Sequence, residues 1–183
     1  RYPAFKLHAL SPPEVLHIAK MNQLTVRVVI ARLVAAGLDS IPGGGAEILV
    51  DRVRKLLNCY AKASSDEWLS VMREAHLAGL RTTATMMYGT VETPEERIEH
   101  LMRLRNLQDE TGGFQAFIPL AFHPDNNQMR KLPAPAASET LKVHAVARLV
   151  LDNVDHIKAY WISCGVEVAQ TALWFVADDS DGT

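Results

Sequence analysis

Cysteine is scarce in this chain. Cys59 and Cys164 are the only two among 183 residues, and they stand far apart. They give no disulfide framework and no CxxC metal or redox pair, and they suit a reducing cytoplasm. Long apolar runs are missing as well. None approaches the ~18 residues that a helix needs to cross a bilayer. A net charge of −2 provides no basic footprint for nucleic acid or an anionic membrane. HExxH, GxSxG and Walker motifs are also absent. What is present is 48% hydrophobic and 22% charged residues, the balance of a globular domain with a sizeable core.

The stretch Gly37–Glu47, GLDSIPGGGAE, carries the densest local signal. It reads as a short strand over 38–41, then Pro42 and three glycines, then a helix from about 48 to 57. Consecutive glycines cost backbone entropy, so they belong where a chain turns sharply or lets something approach its backbone. The free N–H groups of such a turn suit a carboxylate, ribose or phosphate. A tight βα turn with no ligand accounts for the same residues.

Around that turn the chain alternates strand and helix. Residues 4–9 read as a strand, followed by Ser11-Pro12-Pro13-Glu14, which caps a helix to about Met21. A second helix starts near Thr25 and stops at Gly37. Ser64 and Glu67 cap a third, which ends at Gly79. RTTATMMY (81–88) is a strand, and Thr93-Pro94 opens a long helix closed by Gly112-Gly113. FQAFIPL (114–120) is a strand, 121–137 a loop, 138–151 a helix, HIKAYWI (156–162) a strand and 166–175 a last helix. The acidic run Asp178, Asp179 and Asp181 reads as either metal-binding or a frayed terminus, with fraying the stronger reading.

No hairpin signal interrupts the alternation, so the expected fold is α/β with about five parallel βα units. Five units do not close an eight-stranded barrel. The choice lies between an open sheet and part of a barrel, and strand composition separates them. A parallel sheet covered on both faces is apolar throughout. These strands instead alternate, as in Phe5-Lys6-Leu7-His8 and Ile157-Lys158-Ala159-Tyr160. Burying Lys6, Asp39 or Lys158 unpaired would cost several kcal/mol. The pattern therefore predicts a partial (β/α) barrel with a wet interior. An Asp39–lysine pair of purely structural purpose is the competing account of that carboxylate.

Sites in such folds gather beyond the C-terminal strand ends. The candidates there are His8 and Ser11, then Ser40, Gly43, Gly44, Gly45 and Glu47, Tyr88 with Glu92, His123 with Asp125 and Asn126, and Ser163. Thr85, Gln115, Lys158 and Tyr160 fall on the polar strand faces. His123 could contact a ligand or act as a general acid, or be an ordinary loop histidine. Glu92 could be a ligand contact or a cap.

GLDSIPGGGAEIL (37–49), RTTATMMYGTVETPEER (81–97), LRNLQDETGGFQAFIPLAFHPDN (104–126), LDNVDHIKAYWI (151–162) and ADDSDGT (177–183) span nearly the whole chain. They resemble the radical S-adenosylmethionine enzymes of the futalosine route to menaquinone. FQAFIPLAFHPDN, HIKAYWI and ADDSDGT side with the synthase branch of that family, AEILVDRVRK and TATMM with its cyclase branch. The reading adopted is the synthase branch.

The resemblance implies an S-adenosylmethionine-derived 5′-deoxyadenosyl radical adding to the enol ether of 3-[(1-carboxyvinyl)oxy]benzoate. It implies a [4Fe-4S] cluster on a CxxxCxxC motif and an electron donor for the longer parent. Ser40, Gly43, Gly44, Gly45 and Glu47 would then lie against adenosylmethionine. Thr85, Tyr88, Gln115, His123, Lys158 and Tyr160 would meet the dicarboxylate substrate; no catalytic residue is assigned. Three departures accompany the match. The cluster motif is absent, Thr90 stands where the family usually has histidine, and Val176 where it usually has glycine. Residues 1–183 are thus expected to form one incomplete barrel domain that lacks the cluster-binding part.

Overall fold

The computed structural model describes residues 5–182. Five strands, β1 (Ser40–Ile41), β2 (Arg81–Tyr88), β3 (Phe114–Ala121), β4 (His156–Tyr160) and β5 (Asp179–Asp181), form one sheet in sequence order. Every pairing is parallel. Because neighbours in sequence are neighbours in space, right-handed crossovers put all helices on one side of the sheet. This is the layout of a barrel segment, and it leaves the other face uncovered.

The helices are α1 (Pro12–Met21), α2 (Val26–Ala36), α3 (Asp51–Leu56), α4 (Ser65–Leu77), α5 (Pro94–Thr111), α6 (Ala137–Val150), α7 (Trp161–Cys164) and α8 (Val166–Phe175). Their starts follow the caps in the sequence. Ser64 and Thr93 accept from the amides of Glu67 and Glu96, which accept in return from the Ser64 and Thr93 amides. Gly37 and Gly112 end α2 and α5 in the left-handed conformation, at φ 103° and 62°. None of the helices is long and apolar enough to cross a membrane, among the described residues.

Side chains on the covered face make the core. Ile41, Ala84, Met86, Tyr88, Phe114, Phe117 and Ile157 are all buried there, against Trp68, Met72, Leu101, Leu104 and Ala147 of the helices. Phe114 stacks on Trp68 and takes the edge of His76. The β2–β3 register slips between Thr82 and Thr83, and beyond the slip the pairs run Thr85–Ile118 and Met87–Leu120.

Four elements depart from the expected ones. The first strand is reduced to a single bridge, His8 to Ser40, and residue 4 lies outside the described residues. The second strand shrinks to Ser40–Ile41 because the Leu38 amide still closes the end of α2 on Leu33. The helix after the glycines starts at Asp51 rather than 48, since the Leu49 amide is held by His100. Strand β4 stops at Tyr160, where α7 begins. The acidic run is not frayed. Its Asp178 carboxylate takes the Ile157 amide at 2.9 Å and pairs with Arg148 and His156, and the chain continues as β5.

Candidate functional site

Residues 43–49 are fastened at almost every peptide. The Gly43 amide donates to Thr83 Oγ1 at 3.1 Å, and Thr85 Oγ1 donates to the Gly43 carbonyl at 2.6 Å. Trp68 Nε1 donates to the Gly44 carbonyl. Arg54, fully buried, donates to the carbonyls of Gly45 (3.0 Å), Ala46 (2.5 Å) and Ala63 (2.9 Å). The Met87 amide donates to the Glu47 carbonyl, and His100 Nδ1 accepts from the Leu49 amide.

Two of the three glycines are required by this packing. A Cβ on Gly43 would stand 2.8 Å from the β2 backbone, and one on Gly45, at φ 78°, 2.5 Å from Pro13. Gly44 would meet only Ser11, at an ordinary 3.4 Å. Ligand approach is therefore not needed to explain Gly43 or Gly45. A cavity of about 780 Å³ opens beside the loop, between α1 and the 61–62 turn, with Ser11, His17, Gly45, Glu47 and Lys62 in its wall. A separate apolar groove of about 520 Å³ between α5 and α6 lies on the helix side, away from these residues.

On the uncovered face the register sets Thr85, Ile118, Lys158 and Asp179 in one row, and Met87, Leu120 and Tyr160 in the next. Thr85 and Lys158 are two strand spacings apart, ~10 Å. The register slip leaves Gln115 next to Ala116 at the foot of the same face. Lys158 Nζ lies 2.9 Å from Asp179, and this bond holds the Asp179 carboxyl below its usual range. His8 Nδ1 lies 2.5 Å from Ser40 Oγ at the same foot.

Several expected residues sit elsewhere. Tyr88 alternates onto the covered face, because it has the parity of Ala84 and Met86. Its hydroxyl donates to Thr140 at 2.9 Å, and burial pushes its pKa up to about 12. It therefore faces helices rather than the open face. Asp39 and Lys6 do not share that interior either; they form an exposed pair at 3.3 Å near the strand's N-terminal end. The structural account of that carboxylate holds. His123 is exposed, and its carbonyl accepts from Asn127.

The Glu92 side chain is wholly enclosed. Burial pulls its pKa up, but hydrogen bonds from the Thr90 side chain and the Gly89 and Thr90 amides prevail and hold it low. Arg97 bridges it to Glu139 at 2.8 Å on each side. A carboxylate so occupied is a clamp on the β2–α5 turn, not a general base.

Arg54, Trp68 and His100, which hold the glycine loop, are missed by sequence reasoning, which takes α3, α4 and α5 only as core helices. One signal was present for Arg54: with Val50, Val53 and Leu57 it falls on a single apolar stripe. An arginine there must be buried and satisfied by something nearby.

The thiols do not fit an iron–sulfur cluster. Cys59 donates to the Arg54 carbonyl and Cys164 to that of Tyr160, and no group of three metal-binding side chains occurs among the described residues.

Comparison with known proteins gives the same direction. Residues 111–182 match the family model described as CofH/MqnC C-terminal region. The whole chain is 47% identical to the aminodeoxyfutalosine synthase of Thermus thermophilus, covering 50% of it. It is 44% identical, again over its whole length and 50% of the relative, to the 5-amino-6-(D-ribitylamino)uracil--L-tyrosine 4-hydroxyphenyl transferase 1 of Methanosarcina mazei. Against the cyclic dehypoxanthine futalosine synthase of Streptomyces coelicolor the figures are 44% identity, 97% of this chain and 44% of that one. Among solved structures, HydG, a maturase of the [FeFe]-hydrogenase, superposes with a TM-score of 0.62 over 84% of this chain and 35% of its own, at 15% identity. That likeness is one of fold. The chain spans about half the length of the curated relatives it matches. The resemblance read from its motifs thus holds: along its full length this chain is similar to half of an aminodeoxyfutalosine synthase, over 97% of its length to part of a cyclic dehypoxanthine futalosine synthase, and residues 111–182 match the CofH/MqnC C-terminal region.

Proposed function

We propose that this chain is the barrel half of a radical S-adenosylmethionine enzyme of the futalosine route, in its aminofutalosine-forming branch. The longer protein adds a 5′-deoxyadenosyl radical to the enol ether of 3-[(1-carboxyvinyl)oxy]benzoate. The observation that carries this reading is 47% identity to an aminodeoxyfutalosine synthase along the entire chain. An open sheet face lined by Lys158 and Tyr160 supports it, since a small polar substrate needs such a surface, whereas Thr85 is buried beneath Gly43 and is withdrawn from the substrate set. Adenosylmethionine, when bound, supplies the radical. Within this chain Ser40, Gly43–Gly45 and Glu47 are the residues proposed to contact it, and Gln115, His123, Lys158 and Tyr160 those for the substrate. The cluster has no ligands here, so its cysteines and its electron donor belong to the longer protein. Neither nucleic acid nor membrane is a partner in this reading, and two unpaired thiols suit a cytoplasmic location.

The test is a reconstituted longer protein given adenosylmethionine, a reductant and one of two substrates. Consumption of the enol ether with formation of aminofutalosine is expected. Turnover of tyrosine with a ribitylaminouracil instead would reassign the chain to the transferase group that matches it at 44%.

A further inference from the structure

The carbonyls of residues 44–47 all point into the protein: Gly44 to Trp68, Gly45 and Ala46 to Arg54, Glu47 to Met87. In a trans peptide the next N–H points the opposite way. The amides of Gly45, Ala46 and Glu47 are thereby turned away from Arg54 and Trp68. Those of Gly44, Gly45 and Glu47 find no protein acceptor among the described residues. Gly45 and Glu47 have positive φ, 78° and 43°, while Gly44 and Ala46 do not. Alternating signs of φ turn successive N–H groups to one side, the geometry of an anion-binding nest.

Charge agrees with the backbone. Arg54 is fully buried and donates to three carbonyls rather than to a carboxylate. A cation desolvated in this way is ordinarily neutralised nearby. The cavity in front of the loop also holds Lys62 and His17; of its carboxylates, Glu14 is engaged by Ser11, and Glu47 lies at the nest itself. Lys158, the cation that the sequence offers to a carboxylate, already holds Asp179.

We propose that residues 44–47 bind a small-molecule carboxylate through backbone amides, and that Arg54 is the positioning residue that aims them. The proposal rests on reading this loop as a ligand contact. Two ligands in that reading carry the required group, the methionine end of adenosylmethionine and the dicarboxylate substrate.

Amide NMR of the 183-residue chain, below the concentration at which it self-associates, separates them. Adenosylmethionine, 3-[(1-carboxyvinyl)oxy]benzoate and, as a carboxylate-free control, 5′-methylthioadenosine are titrated in turn. Saturable shifts of the Gly44, Gly45 and Glu47 amides with one or both carboxylates, and none with the control, are expected. Glu47→Gln, which removes the competing negative charge from a half-exposed side chain, tightens that binding several-fold. Arg54→Lys weakens it about tenfold; if that variant does not fold, the Glu47→Gln titration decides alone. Amides 44–47 that stay still with both carboxylates, or move equally with methylthioadenosine, overturn the nest. So does unchanged or weaker binding to Glu47→Gln. If adenosylmethionine shifts Met87 and Tyr160 but not the loop, the nest fails while the family reading stands. If simple carboxylates such as benzoate bind the loop and adenosylmethionine does not, the reverse holds.

Discussion

Gly43 and Gly44 are chemically identical neighbours with different reasons to exist. A methyl on Gly43 would meet the peptide atoms of Thr83, Ala84 and Thr85, none of which can move without breaking β2. Gly43→Ala should cost at least about 2–3 kcal/mol, the scale of overpacking in a rigid core. A methyl on Gly44 would meet only Ser11 at 3.4 Å, and its φ is not positive, so Gly44→Ala should lie within about 1 kcal/mol of the parent in urea melts. Equal losses for both would mean that the loop is not seated on β2 as described. Two histidines make a second prediction at this scale. Burial lowers His76 to about 4 and His100 to about 3, from 6.5. Both are neutral when folded, so between pH 6.5 and about 4 the unfolded chain binds more protons. Stability from this source is fully present above 6.5 and drains away as pH falls through that window, by about 1.4 kcal/mol per pKa unit. NMR should find neither ring titrating above pH 5. A midpoint near 6.5 for either ring would refute its burial.

At the scale of elements, legibility followed local chemistry. Helices with a Ser or Thr cap, a glutamate three residues on and a glycine at or near the end are legible to within a residue or two, because the cap and glutamate satisfy orphan amides at the start and the glycine lets orphan carbonyls be satisfied at the end. Strand β5 was illegible for the opposite reason. Asp179-Ser180-Asp181 has no intrinsic strand preference and forms one only because Lys158 and β4 lie beside it. The same tertiary override delays α3, whose expected first turn is spent on His100 and Met87. Within the candidate site, the shared face of Thr85, Lys158 and Tyr160 is readable from period-two alternation, whereas the sequence position of Tyr88 next to the turn hides its place on the covered face. Asp178 anchors this last strand through the Ile157 amide, Arg148 and His156, while Asp179 makes a half-exposed pair. Asp178→Ala should therefore cost about 1–2 kcal/mol, and Asp179→Ala under about 1 kcal/mol, in thermal or urea melts. The reverse order would show that β5 is held by Lys158 instead.

For the whole molecule, the decisive fact is that, among the described residues, one face of the sheet has no helices. Ile118, Leu120, Met87 and Tyr160 are only partly covered there, and the bridge at His8 and the short strand β5 leave both sheet edges open. Open parallel edges offer unpaired N–H and C=O groups to any chain that can extend them. An apolar row on an uncovered face adds a driving force proportional to the area it can bury. Relatives twice this length have the material to cover both. The 183-residue chain should accordingly self-associate, with a sedimentation coefficient and a melting temperature that rise with concentration, as mass action requires when association favours the folded form. The longer protein should sediment independently of concentration over the same range, or as one fixed oligomer, and melt higher. A strictly monomeric chain that melts with the longer protein would mean that this half-barrel is a self-sufficient domain. The open face would then have to be explained as a surface rather than an interior.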